Sequence, residues 1–291
     1  MSLKPVWEIL HPYPEVVSGH VTEDSFVVSM GAVWERLELG AKVDVDPRYL
    51  DPEGFYRRTH FTDSMRELLK AVTSRIEGEK AQSIHHLQVG MGGGKSHTLL
   101  LLYYLSKYPE KVISFLRREK ITDKVPRFRI AVIDGSRIDM FGKRYPDGTQ
   151  IQTLWGLLFK ALGVYLKYKE IDTLGQAPSV TTLKEALSSE PTLILIDEPT
   201  IYIQNIMGNS RHIGVFQAFL QNLTAAVSET SGCALVVTAP TGIYEEARRL
   251  ISTVLSRYCA PTIIATPREY KSVTPPRPIH RRLRQTHTNY R

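Results

Sequence analysis

Cysteine is scarce in this sequence, and its arrangement points away from cysteine chemistry. Only two occur in 291 residues, Cys233 inside an apolar run and Cys259 beside another. Both read as buried thiols in a reducing compartment, not as a disulfide framework. Metal-ligand spacing is missing as well, since no cluster of cysteine and histidine is present. His85 and His86 are adjacent in a strand-like run, so they face opposite ways and cannot chelate one ion. They read as core or surface histidines. Long hydrophobic runs are also absent, and none approaches the roughly 20 residues of a membrane span. The opening Met1-Ser2-Leu3-Lys4-Pro5 lacks the apolar core of a signal peptide. The expectation is a cytoplasmic protein with no membrane partner. No internal repeat is visible.

The charge excess is not general either. Net charge is +7, but Pro267 to Arg291 holds seven basic residues against Glu269 alone. The remainder has 30 basic and 29 acidic residues. The high isoelectric point of 9.3 therefore belongs to the C-terminal stretch. With 42% hydrophobic residues, the chain can build one large domain or two small ones.

What is present centres on residues 84–98. The apolar run Ile84-His85-His86-Leu87-Gln88-Val89 is followed by Gly90-Met91-Gly92-Gly93-Gly94-Lys95-Ser96-His97 and a second apolar run from Leu99. Strand, glycine loop and helix in that order can wrap a polyphosphate. Glycines let consecutive N–H groups turn toward phosphate oxygens, and the helix aims its positive end at the same anion. Lys95 would meet the β- and γ-phosphates, and Ser96 would hold Mg²⁺. In G-x-x-x-x-G-K-[ST] the first glycine falls at Val89, so the loop departs from that pattern by one position. A glycine linker ahead of Lys-Ser would account for neither the preceding strand nor the apolar helix.

A second element completes the motif. Thr192-Leu193-Ile194-Leu195-Ile196-Asp197-Glu198 is a continuous apolar run ending in two acids, the pattern of a strand buried on both faces of a parallel sheet. Asp197 would bind the metal, and Glu198 would orient and deprotonate attacking water. The two elements together predict a P-loop NTPase.

Taken in order, the chain predicts a helix from Glu23 to Leu39 capped by Ser25 or Thr22. A clearer helix buries Met65, Leu68, Leu69, Val72 and Ile76, with Thr62 as its cap. The phosphate-loop helix runs to about Tyr108, and a connecting helix spans Glu110–Arg118. The strand Arg129–Asp134 follows, ending in Asp134-Gly135-Ser136, which reads as a turn or as an exposed functional triplet. A helix opening at Gly148-Thr149-Gln150 places Ile151, Leu154, Trp155, Leu158 and Leu162 on one face. A polar stretch near Thr173–Ser179 and a short helix Thr182–Ser188 lead to the acidic strand. Beyond it lie a helix through Phe216, Phe219, Leu220, Leu223 and Val227, the strand Ala234–Thr238, a helix from Ile243 to about Arg257 and the strand Thr262–Ala265. The expectation is an α/β fold with a central, mostly parallel sheet of about five strands flanked by helices and preceded by a mainly helical N-terminal segment. The expected parts are 1–80, a helical segment packing on the core; 81–266, the ATPase core; and 267–291, a basic proline-containing tail.

Two P-loop classes compete. LILIDEPT resembles the acidic strand of ABC ATPases, but Ile171–Pro191 lacks the Leu-Ser-Gly-Gly signature, and Thr238 stands where that family has histidine. An AAA+-like arrangement fits better, with Thr238 as the polar sensor ending the next strand and Arg257 as an arginine finger. A helix-end cation favoured by the dipole is the other reading of Arg257.

Spaced motifs carry a closer resemblance: Pro5-Val6-Trp7-Glu8-Ile9-Leu10 with Val17-Ser18-Gly19, Phe55-Tyr56-Arg57-Arg58-Thr59, Leu87-Gln88 before Gly90–His97, Thr153-Leu154-Trp155-Gly156 and Leu195-Ile196-Asp197-Glu198. Over about residues 5–275 the chain resembles an uncharacterised prokaryotic family of AAA+-like ATPases. Those proteins are usually far longer and are found beside DNA methyltransferases in restriction or phage-defence clusters. That family's loop also lacks glycine at the position of Val89. The resemblance implies ATP rather than GTP, Mg²⁺, and a motor or switch role on DNA or a DNA-modifying partner protein. It also implies a homo-oligomer with ATP at subunit interfaces. The family continues into a helical lid, so a truncated or split member is expected. Two other readings remain: a non-hydrolysing, nucleotide-dependent interaction module, and nucleic-acid binding through a tail in which Arg281, Arg282 and Arg284 cluster.

Overall fold

The computed structural model describes residues 17–18, 28–89, 94–139, 142–242 and 244–262. Helices α1 (Met30–Glu38), α2 (Pro52–Arg58) and α3 (Asp63–Ile76) precede strand β1 (Ile84–Val89). Then come α4 (Lys95–Lys107), α5 (Pro109–Arg118) and β2 (Arg129–Asp134). A small antiparallel pair, β3 (Lys143–Arg144) and β4 (Gln150–Ile151), leads to α6 (Leu154–Ala161), α7 (Tyr165–Thr173) and α8 (Val180–Leu187). The acidic strand β5 (Thr192–Asp197) is followed by α9 (Pro199–Ile206) and α10 (Ser210–Glu229). β6 (Cys233–Pro240), α11 (Glu245–Leu255) and the two-residue β7 (Pro261–Thr262) complete the order.

Four full strands pair in parallel in the order β2-β5-β6-β1, and β7 extends the edge beside β1. All residues of β5 and β6 are buried, which is why both read as unbroken apolar runs instead of alternating ones. Their side chains still alternate between faces. Ile194 and Ile196 join one core with α6 to α11, while Leu193 and Leu195 join the other with α1 to α5. The first three helices thus share an apolar layer with the strands, and Leu69, Val72, Leu87 and Leu99 pack in one cluster.

Several local expectations hold. Thr62 caps α3 by accepting from the Met65 N–H at 3.2 Å, and the five periodic residues of that helix are buried. Both histidines of β1 are core residues, 4% and 1% exposed, on opposite faces as strand geometry requires. Cys233 and Cys259 are buried free thiols. Asp134-Gly135-Ser136 is a turn, with Gly135–Arg137 a single 3-10 turn capped by the Asp134 carboxylate.

Other expectations are corrected. The helix expected over Glu23–Leu39 is described over Met30–Glu38, where Ser29 caps it on the Ala32 N–H at 3.1 Å; Glu23 and the expected caps Ser25 and Thr22 lie outside the described residues. Gln150 and Ile151 belong to the β3–β4 pair, and the helix starts after Thr153, whose hydroxyl accepts from the Gly156 N–H. Local sequence pattern does not reveal helices α7 and α9. α7 carries the weak periodicity of a mostly exposed helix, and α9 opens on a proline that reads equally as a turn. The last strand is seen over Pro261–Thr262, and Ile263 to Ala265 fall outside the described residues. So does the basic segment 267–291. No helix among the described residues is long and apolar enough to cross a membrane.

Candidate functional site

Strand order brings the conspicuous residues together. β6 lies between β1, which leads toward Lys95, and β5, which ends at Asp197. Their carboxyl ends are aligned, with Leu87 opposite Thr238 and Ile196 opposite Val237. Gly94, at φ +79°, turns the chain into α4 in a conformation a side chain would strain. Its carbonyl accepts both the N–H and the hydroxyl of Thr98, at 2.9 and 2.8 Å, which anchors the first turn. Lys95 and Ser96 therefore open the helix beside the ends of β5 and β6.

Four residues are joined directly. Ser96 donates its hydroxyl to Asp197 Oδ2 at 3.0 Å, and Thr238 donates to Asp197 Oδ1 at 2.8 Å. The Glu198 N–H donates to Thr238 Oγ1 at 3.1 Å and to Asp197 Oδ1 at 3.2 Å. Glu198 sits at φ +47°, an uncommon conformation for a residue with a side chain. It ends the strand abruptly and starts α9 through Pro199. Gly135 permits this turn, because a Cβ there would lie 2.5 Å from the Glu198 carbonyl oxygen.

The electrostatics follow from burial and crowding. Asp197 is 1% exposed, and burial, reinforced by Asp134 and Glu198, pushes its carboxyl up to about 7, against the pull of the Thr238 and Ser96 hydroxyls. Burial also raises Glu198, opposed by Lys95 and assisted by Asp134. Lys95 is lowered by burial, while Glu198 and Asp197 favour its charge. Three carboxylates thus crowd near one ammonium, and a bound cation would relieve that excess. The hydroxyl of Ser96 and the carboxylate of Asp197 are hard oxygen donors of the kind Mg²⁺ takes. No group of three or more potential metal ligands occurs among the described residues, so the protein alone supplies few ligands.

The remaining predicted residues are placed differently. His97 turns back into the fold, where its Nε2 meets Thr59 Oγ1 at 2.9 Å and its ring lies 4.3 Å from Phe55. Burial lowers its imidazole to about 4. Arg257 is exposed on the turn after α11, and no contact with the four joined residues is seen among the described residues. Gly90, Met91, Gly92 and Gly93 lie outside the described residues.

Two buried acids have roles that local pattern does not reveal. Asp134, at the end of β2, accepts from the Gly31 N–H at 3.1 Å, the Ser136 N–H at 2.8 Å and the Ser136 hydroxyl at 2.6 Å. Its carboxylate thereby anchors the first turn of α1. Asp172, fully buried, accepts from Thr153 Oγ1 at 2.5 Å, the Gln152 N–H at 3.0 Å and the Tyr165 hydroxyl at 2.9 Å. Gly156 leaves the room Asp172 occupies, which explains Thr153-Leu154-Trp155-Gly156 as a packing motif. The 55–59 motif is likewise the segment that meets His97.

No curated protein matches the chain. The sequence profile of the DUF499 N-terminal domain matches residues 36–258, a span that contains Lys95, Ser96, Asp197, Glu198, Thr238 and Arg257. That covers most of the chain, which belongs to the DUF499 N-terminal domain family.

Proposed function

We propose that this chain is a Mg²⁺-dependent P-loop ATPase of AAA+-like type, working as a motor or switch subunit on DNA or a DNA-modifying partner. The observation that carries the nucleotide part is the link from Ser96 through Asp197 and Thr238 to Glu198, with Lys95 alongside. A lysine and a hydroxyl at a helix start, facing buried Asp197 and half-buried Glu198, have the chemistry to bind a triphosphate and activate water.

Each residue then has a task. Lys95 holds the β- and γ-phosphate oxygens by charge. Mg²⁺, when bound, would neutralise phosphate charge, and Ser96 with Asp197 would hold it. Glu198 accepts the proton of the attacking water as that oxygen bonds to the γ-phosphorus and the bond to the β-phosphate oxygen breaks. Its raised proton affinity suits a base of this kind. Thr238 keeps Glu198 at the correct angle through the backbone N–H it accepts. Residues 90–93 would supply the N–H groups around the phosphates. Arg257, exposed after α11, is available to a neighbouring subunit's nucleotide in an oligomer. The DNA-related setting and the preference for ATP rest on the family resemblance.

The deciding experiment is nucleotide binding by the purified chain and its Lys95→Ala variant, measured by calorimetry with ATP and Mg²⁺. Loss of binding in a folded variant is expected. Equal affinity in both proteins would overturn the assignment.

A further inference from the structure

Charge is segregated on the folded surface. From Lys107 to Arg127 the chain has seven basic residues, Lys107, Lys111, Arg117, Arg118, Lys120, Lys124 and Arg127, and every one is exposed. Three acids share the stretch, and one of them, Glu119, is already paired with Arg66 at 2.9 Å and Arg118 at 3.2 Å. Outside this stretch, the described residues include 22 basic and 22 acidic side chains. Among the described residues the body therefore carries a basic strip on an otherwise charge-balanced surface.

The fold makes that region continuous. α5 buries Val112, Phe115 and Leu116, which turns Lys111, Arg117 and Arg118 outward. The Arg117 guanidinium donates to the Asp123 carbonyl at 3.0 Å, folding the following loop against the helix end. Ser106 donates to the Phe128 carbonyl at 3.4 Å, so the loop returns to the end of α4. The neighbouring α2, in ring contact through Tyr56 and Phe115 at 6.0 Å, ends in exposed Arg57 and Arg58. Lys111, Lys120 and Arg127 have no ion pair among the described residues, and Lys111 lies 5.2 Å from the Tyr108 ring centre.

We propose that this strip, formed by α5 and the loop to Phe128, docks the phosphate backbone of a duplex nucleic acid. A ten-residue helix extends about 15 Å, and duplex DNA carries one charge per roughly 1.7 Å of axis. Several phosphates thus lie within reach of the strip at once. An anionic membrane is the other polyanion to weigh, but an interfacial helix needs apolar side chains pointing outward. None of the exposed large hydrophobic residues lies between 107 and 127. The proposal names the surface for the DNA role suggested above but does not rest on the nucleotide site.

The test uses the full chain without nucleotide and 30-base-pair duplexes of DNA and of RNA, with affinity followed by fluorescence anisotropy across salt concentrations. Lys111→Glu/Lys120→Glu/Arg127→Glu is compared with Arg144→Glu/Lys169→Glu/Arg211→Glu, which makes the same charge change at exposed sites on the elements that cover the other face of the sheet. The strip variant should lose at least tenfold in affinity for one or both duplexes, and its log–log salt slope should fall by about 0.9 for each lost contact. The control variant should change less than threefold. Equal losses in both variants would assign binding to general charge or to the segment 267–291, and no loss in the strip variant would remove the strip from binding. Phosphatidylserine vesicles form a further arm. Loss of vesicle binding with unchanged duplex binding would overturn the proposal in favour of a lipid surface. If the reversal variant fails to fold, the same three positions changed to Gln give the same comparison. Nucleotide binding by the strip variant should match the parent, so failure here leaves the Lys95 assignment standing.

Discussion

Ser96 and Asp197 are 101 residues apart in the chain and 3.0 Å apart in the fold, the serine hydroxyl donating to Oδ2. Thr238 donates to the other oxygen of the same carboxylate, so three elements converge on one acid. The consequences of that convergence are testable.

Glu198→Gln should bind ATP and fail to turn it over, because the amide keeps the shape and loses the base. Phosphate release and nucleotide binding are measured on the same preparation. Undiminished turnover would move the base elsewhere. Asp134 is a poor substitute, since the Gly31 and Ser136 N–H groups and the Ser136 hydroxyl already occupy its carboxylate.

Thr238→Val removes a hydroxyl that accepts from the Glu198 N–H and donates to Asp197. A buried carboxylate oxygen losing such a partner costs about 1–3 kcal/mol. Urea denaturation should register that loss, and turnover should fall while ATP binding persists. Thr238→Ser should restore both; a serine variant no better than valine would assign the effect to packing alone.

Gly135→Ala tests the close approach beneath Glu198. The new methyl carbon would fall 2.5 Å from a backbone oxygen and 3.0 Å from Pro199 Cα, neither of which moves easily. A loss of about 1–3 kcal/mol in unfolding free energy is expected, with reduced turnover because Glu198 must shift. Parental stability and activity would mean that this turn is slack.

The pH dependence should carry a histidine signature. Burial lowers His85 and His86 to about 4. A histidine whose folded pKa lies below its unfolded value contributes stability that is full above about 6.5 and is lost as pH falls toward about 4, at up to about 1.4 kcal/mol per pH unit. Asp197, raised to about 7, acts in the opposite sense, with its stability lost as pH rises from about 3.8 toward about 7. The measurement is therefore differential. The stability gap between the parent and His85→Gln/His86→Gln should narrow as pH drops from 7 to 5. A constant gap would mean that neither imidazole is held neutral by burial.

Sequence alone determined the local elements and the chemistry they offer. The apolar run of Thr192–Asp197 announced a strand buried on both faces, Thr62 announced a helix start, and Lys95-Ser96 after glycines announced another. Such signals arise from the burial or capping of single elements, and the period of the chain records them directly. Partnerships between elements required the tertiary structure. Only the strand order β2-β5-β6-β1 sets Thr238 between Lys95 and Asp197, because no periodicity encodes which strands are neighbours. The Gly31–Asp134 and Thr59–His97 bonds span 103 and 38 residues, and the burial of Asp172 depends on Gly156 in a different helix. A polar side chain reads as exposed until a distant backbone or hydroxyl group arrives to satisfy it in the core, and only the folded chain brings that group there.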